Sequence, residues 1–167
     1  MKRVFLLVLC FGLFGHPVSA FSQEKQVVGW LETVRLCPED LTFTAKIDTG
    51  AKTSSLRANH IEIFDRNGEQ WVRFEVTDRR KRTVVFELKR IRISKIKNSN
   101  NSSNERPTVG LRFCIGKLFV DAEVNLTERP GFNYPLLLGR RLLSDRFLVD
   151  PSAKFTMKPV CNTSCKP

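Results

Sequence analysis

The sequence predicts a mainly β domain, a closed barrel or sandwich, on three observations. Short apolar segments alternate with polar residues along most of the chain; turn-forming clusters interrupt them at close spacing; only one stretch, Arg140 to Asp145, looks helical. Alternating β and α units would need a helical segment between most successive strands, and only one is present.

The elements follow in order. VVGWLETVRLCPEDLTFTAKID contains two β segments, Val27 to Leu36 and Leu41 to Ile47, separated by the turn Cys37-Pro38-Glu39-Asp40. After a turn at Asp48-Thr49-Gly50, HIEIFDRNGEQWVRFEV places Asn67-Gly68 between two alternating runs, a strong hairpin signal because both residues tolerate positive φ. Trp71 to Val76 and Thr83 to Ile96 flank a charged tip, Asp78 to Arg82, and predict a second hairpin. The apolar alternation slips between Leu88 and Ile91, which suits a bulge or a bend where the strand changes sheets. NSNNSSN, residues 98–104, holds only Asn and Ser and is expected to be a mobile surface loop. LRFCIGKLFVDAEVNL resumes the alternation around a turn at Gly116-Lys117; Leu136-Leu137-Leu138-Gly139 then precedes the short helix, and FLVD forms a last strand.

The N-terminus is read separately. Lys2 and Arg3 precede an apolar run from Val4 to Phe14, and Val18-Ser19-Ala20 offers small residues for cleavage, so residues 1–20 are expected to be a secretory signal peptide and 21–167 one domain, periplasmic or secreted. The run is shorter than the roughly 18 residues of a membrane span, so no span is expected in the mature chain. Four cysteines remain after processing: Cys37, Cys114, Cys161 and Cys165. An even number in an exported chain points to one or two disulfides with three possible full connectivities, among them a small terminal loop closed within CNTSC.

The formal charge is +11, and about +9 without Lys2 and Arg3. An exported chain meets little nucleic acid, so none is expected as a partner; the basic stretch Asp78 to Lys97 reads as a solvated hairpin face or as a rim that steers anions. His60 is the only histidine after the signal and no His-Glu-x-x-His occurs, which argues against a zinc hydrolase; neither metal nor other cofactor is expected.

The stretch that carries chemistry is KIDTGAKTSSLRA, residues 46–58. An aspartate on a turn after an apolar strand is held rigidly, glycine lets backbone N–H groups approach its carboxylate, and a threonine hydroxyl can both donate and accept. As an isolated tripeptide this is ordinary turn chemistry. Together with IEIFDRNGEQWVRFEV and LLLGRRLLSDRFLVDP, it resembles the bacterial retropepsin-like aspartic proteases historically labelled ATP-dependent zinc proteases, over Val28 to Asp150. The old label fits poorly, since no phosphate loop or zinc site is recognisable.

The resemblance implies a retropepsin-like closed β-barrel, the acid protease fold, with one short helix after the Leu-Leu-Gly segment, and an aspartic-type endopeptidase acting on a peptide or protein substrate. It implies Asp48 as the catalytic acid within Asp48-Thr49-Gly50, with Ala51 and Lys52 beside the substrate and Leu138, Gly139 and Arg140 supporting the turn from behind. Aspartic proteolysis uses two facing carboxyls that share a proton, yet the motif occurs once; Asp121, Asp145 and Asp150 lack the glycine-turn context. A homodimer is therefore expected, with Thr49 of each copy bracing the other. Lys52 stands where retroviral relatives carry an acid gripped by the arginine equivalent to Arg140, which leaves Asp145 or Glu123 as candidate partners for Arg140. Two hairpins compete as the covering flap, and the tip at Asp78 to Arg82 is preferred, its cations suiting acidic peptides. The runner-up function is a non-catalytic barrel module that binds anionic envelope components.

Overall fold

In the computed structural model, residues 24–97, 103–128 and 133–161 are described. The signal peptide expected at 1–20 lies outside them, as does Cys165. Eleven strands and one short helix succeed one another: β1 (Gln26–Cys37), β2 (Leu41–Asp48), β3 (Ser54–Arg57), β4 (Asn59–Arg66), β5 (Glu69–Thr77), β6 (Thr83–Lys89), β7 (Arg92–Lys97), β8 (Ser103–Ile115), β9 (Leu118–Thr127), β10 (Leu136–Gly139), α1 (Arg140–Leu143) and β11 (Phe147–Lys154).

The larger sheet runs β11-β1-β2-β10-β3-β9-β8-β7, and β1 also pairs with β8 through Arg35, Leu36 and Cys37. That second pairing closes six strands, β1, β2, β10, β3, β9 and β8, into a barrel, while β11 and β7 extend it at either side. The mainly β, closed-barrel expectation holds. Alternation puts Val34, Leu36, Leu41, Phe43, Leu56, Phe113, Leu126, Leu136 and Leu138 inside with essentially no exposure, and full burial of a Leu or Phe side chain contributes roughly 1.5–3 kcal/mol.

The three-stranded sheet β4-β5-β6 packs Val72, Phe74, Val76 and Phe86 against this core, with the Phe74 and Phe86 rings stacked 5.3 Å apart. Asn67 (φ 57°) and Gly68 (φ 76°) make the tight turn between β4 and β5, as the sequence predicts. The slip after Leu88 is a change of sheet: Arg90 N–H donates to the Gln70 carbonyl, and Ile91 N–H already donates to Thr108 of β8.

Four features differ from, or complete, what the sequence suggests. Ser103 and Asn104 belong to β8, paired with Lys97 and Ile96, so the Asn/Ser stretch is not wholly loop; 98–102 lie outside the described residues. Ser54–Arg57, not among the strands expected from the sequence, is a strand, because β9 and β10 flank it and supply the partners that its short polar sequence does not advertise. Cys161 pairs with Cys114, 47 residues away, rather than closing a loop within CNTSC; Cys37, buried beside this pair, is disulfide-bonded as well. The fourth concerns the tip at Asp78 to Arg82, which does not overhang the aspartate turn. Arg79 N–H donates to the Thr42 carbonyl and Arg82 Nη2 to that of Asp40, so the tip is docked at the β1–β2 turn. From Thr42 to Asp48 is six residues of strand, about 20 Å.

Asp78 holds that tip together. Its buried carboxylate accepts from Arg80 N–H, Arg82 N–H and the Arg82 guanidinium at 2.8–3.0 Å. Burial pushes its pKa up, but these donors outweigh burial and hold it below the usual carboxylate range. The sequence also gave no sign of Glu32, fully buried in β1, whose carboxylate accepts from Gly29 N–H, Thr156 N–H, Thr156 Oγ1 and Met157 N–H and straps the C-terminal segment to the barrel.

Candidate active site

Asp48 ends β2 and is half-buried. Its Oδ1 accepts from Gly50 N–H at 2.9 Å and Ala51 N–H at 3.1 Å, so the turn's own backbone fixes the carboxylate, while Thr49 and Gly50 stand exposed at the tip. A charged acceptor held by two backbone donors has a defined direction before any ligand arrives.

Behind the turn, β10 lies between β2 and β3. It runs parallel to β2, placing Leu138 opposite Ile47 and Gly139 opposite Asp48, and antiparallel to β3 through Leu136 and Leu137. Leu138 is fully buried. At Gly139 a Cβ would lie 2.6 Å from the Thr53 carbonyl carbon, 2.7 Å from its oxygen and 3.0 Å from the Ala51 oxygen, so only glycine allows this approach. Three donors then join β10 and α1 to the loop: Gly139 N–H to Ser54 Oγ (3.1 Å), Arg140 N–H to the Ala51 carbonyl (2.9 Å) and Arg141 N–H to the Lys52 carbonyl (3.1 Å).

The Arg140 side chain reaches neither Asp145 nor Glu123, which corrects the pairing expected for it. Its Nη1 donates to the carbonyls of Thr49 (2.8 Å) and Gly50 (2.7 Å), so the guanidinium clasps the Asp48 turn directly instead of gripping an acid beyond it. Glu123 is occupied by two other arginines, Arg92 (2.9 and 2.7 Å) and Arg141 (3.3 Å). Lys52, with its side chain in solvent, leaves this edge of the turn cationic.

Sequence reasoning missed a buried polar group under the loop. Asn125 of β9 donates through Nδ2 to the Ser54 carbonyl (2.6 Å) and Thr53 Oγ1 (3.4 Å), and its Oδ1 accepts from Arg106 Nη1 (3.3 Å). Asn125, Ser54 and Arg106 are all buried. No local signal marked it, because Asn125 falls in the same alternation register of β9 as the polar Asp121 and Glu123, and nothing in the sequence tied it to Thr53 and Ser54.

Two of the other aspartates set aside above are engaged elsewhere. Asp121 pairs with Arg112 across the β8–β9 ladder, and the hydrogen bonds from that guanidinium lower its pKa. Asp150 accepts from Ser152 Oγ and N–H, which lowers its own. Asp145 follows α1 at φ 66°.

A family model described as RimB-like, retropepsin-like aspartic endopeptidase RimB, matches residues 27–159. Among curated proteins, the chain is 39% identical over 124 residues to a probable alpha-L-glutamate ligase of Desulfotalea psychrophila, and 38% identical over 116 residues to one of Shewanella pealeana. These matches cover 72% and 68% of this chain but 26% and 25% of the relatives, so the chain corresponds to about a quarter of their length. A solved structure of a Legionella pneumophila protein of unknown function superposes with a TM-score of 0.69 at 36% identity, covering 81% of this chain and all of that one. With its barrel closed around a single Asp-Thr-Gly turn, the chain belongs to the RimB-like family of retropepsin-like aspartic endopeptidases.

Proposed function

We propose that the protein is an aspartic endopeptidase whose active unit is a homodimer, with Asp48 of each copy supplying half of a shared-proton dyad. The observation that carries this reading is a carboxylate aimed by two backbone N–H groups on an exposed turn, present once in the chain. One carboxyl cannot at the same moment be ionised to take a proton from the attacking water and protonated to hydrogen-bond the scissile carbonyl. Two facing carboxyls with one proton between them can. A two-fold axis beside the turn would bring the Asp48 carboxylates together and set each exposed Thr49 against its twin.

In the mechanism the ionised Asp48 accepts a proton from water as that water attacks the scissile carbonyl. The protonated Asp48 of the second copy hydrogen-bonds the carbonyl oxygen as negative charge develops there, and the first Asp48 passes the proton it took from water to the leaving nitrogen as the tetrahedral species collapses. Arg140, Ser54 and Gly139 hold the turn at a fixed height throughout. The hairpin turning at Asn67-Gly68 becomes the candidate cover, since β4 is largely exposed and Ile63 is 42% exposed.

Acidic peptides are the proposed substrates. The relatives named as glutamate ligases carry a region similar to this chain, and the rim beside Asp48 bears Lys52, Arg92 and Arg141. An N-terminal signal pattern and the Cys114–Cys161 disulfide support a periplasmic or secreted location. The second reading, a non-catalytic module for anionic envelope components, draws on the exposed Arg79, Arg80 and Lys81 at the docked tip.

Asp48→Asn decides between them: it should abolish peptide cleavage with an unchanged melting temperature and unchanged polyanion binding. Sedimentation that finds only monomer at concentrations giving full activity would exclude the two-chain dyad. Absence of wild-type cleavage from acidic to neutral pH would favour the binding module.

A further inference from the structure

Arg92, Glu123 and Arg141 lie together at the Asp48 end of the barrel, on three different elements. Glu123 directly precedes Val124, which pairs with Ser54 at the start of β3. Arg92 of β7 has all three guanidinium nitrogens engaged, Nε and Nη2 on Glu123 and Nη1 on Ser94 Oγ at 2.6 Å. Arg141 is not. Its backbone N–H is fixed to Lys52, but its guanidinium is 53% exposed and makes a single 3.3 Å contact, from Nη1 to Glu123. A guanidinium carries five donor hydrogens, so most of this one's capacity is open.

Glu123 cancels one of the two arginine charges, and Lys52 is exposed with no ion pair among the described residues. This corner of the rim therefore has a net charge of about +2, and its two outermost cations, Arg141 and Lys52, are joined through a backbone hydrogen bond. Lys52 is four residues beyond Asp48, at most about 14 Å along the chain. An extended peptide advances about 3.3 Å per residue, so the cations would meet a side chain roughly two to four positions from the bond poised over the dyad.

We propose that Arg141 and Lys52 form an outer subsite for a carboxylate side chain of the substrate, and that Glu123 and Arg92 position Arg141 there. This rests on the endopeptidase reading for its role in cleavage, but carboxylate binding at the site does not require the dyad. Arg141 presents a planar fork to the carboxylate and Lys52 a point charge beside it, so the subsite selects glutamate or aspartate over their amides. The preference is electrostatic and weakens with salt.

The test uses the full mature chain carrying Asp48→Asn and two fluorescein-labelled decapeptides, one of glutamates and one of glutamines, with fluorescence anisotropy at low salt. The glutamate peptide should bind at least about tenfold more tightly. Arg141→Gln should cut that ratio by about three- to tenfold, Arg141→Lys should retain most of it, and Arg141→Glu should shift binding toward a lysine decapeptide, a gain that local damage would not produce. Equal ratios in the parent and both the Gln and Glu variants, or no binding of the glutamate peptide at all, would overturn the proposal. Cleavage of either peptide by the Asp48→Asn protein would instead overturn the dyad and leave the subsite standing.

Discussion

Replacing Gly139 by alanine would put a methyl group 2.6 Å from the Thr53 carbonyl carbon and 2.7 Å from its oxygen. Ordinary contact begins near 3.4 Å, so strand β10 and the loop after Asp48 must separate by roughly 0.8 Å. Both obstructing atoms belong to backbone, which no rotamer change can move aside. Overpacking of this kind costs about 1–3 kcal/mol. Separation also stretches the Gly139–Ser54 and Arg140–Ala51 hydrogen bonds, each contributing about 1 kcal/mol. A total of about 2–4 kcal/mol corresponds to a melting temperature lower by about 5–15 °C in a domain of this size. Because the loop being pushed carries Asp48, cleavage should suffer beyond the stability loss, and a displacement approaching 1 Å costs on the order of 100-fold in rate. Thermal unfolding by circular dichroism and turnover of a quenched glutamate-rich peptide, assayed well below the variant's melting temperature, measure the two effects separately. A Gly139→Ala protein with unchanged melting temperature and unchanged turnover would refute the claim that β10 sets the position of the aspartate turn.

Removing the Cys114–Cys161 link as a paired alanine variant frees a 47-residue separation in the unfolded chain; the chain-entropy estimate is about 4 kcal/mol, seen as a melting temperature lower by roughly 8–16 °C, with turnover at 25 °C retained because Cys114 sits at the β1–β2 turn end of the barrel. Asp78→Asn should cost about 2 kcal/mol at pH 7, since it weakens four hydrogen bonds to a buried carboxylate. Its folded pKa is depressed, so that contribution is fully present above the ordinary carboxylate value near 4 and is lost as pH falls through the folded value; acid titration should show a flatter stability curve for the variant than for the wild type. Neutralising Arg79, Arg80 and Lys81 together should leave peptide turnover unchanged, because the tip is anchored about 20 Å along β2 from Asp48; a large fall in turnover would show that the tip reaches the substrate after all.

Much of the fold was legible because its signals are local. Asn67-Gly68 dictates a turn whatever surrounds it, and the interior-facing sets in β1, β2, β8 and β9 repeat with the period of two that a half-buried strand imposes. Ser54–Arg57 was illegible for the opposite reason: four residues, two of them serine, become a strand only when β9 and β10 present their edges. The same holds for the cysteines, where spacing leaves three full connectivities open and the barrel brings Cys114 and Cys161 together.

The candidate site divides in a similar way. Asp48, Thr49 and Gly50 are contiguous, so their mutual geometry is written in the chain. Their supports come from distant segments: Asp145 and Glu123 were the candidate partners for Arg140, yet it clasps the turn's own carbonyls, and Glu123 is held by Arg92 and Arg141. Charge composition announced a cationic surface without saying which cations stand near Asp48. The long basic tip drew attention and lies at the wrong end, while the relevant group is assembled from single residues of β7, α1 and the aspartate loop.

What the sequence by itself determined is most of the strands, the principal turns and the carboxylate-bearing motif, because hydrophobic period and turn chemistry act over a few residues. Tertiary structure alone decided which strand lies behind Asp48, which arginine clasps its turn and which cations border it. Those choices depend on strand order and register, and these are set by how the apolar faces of distant segments fit into one closed core.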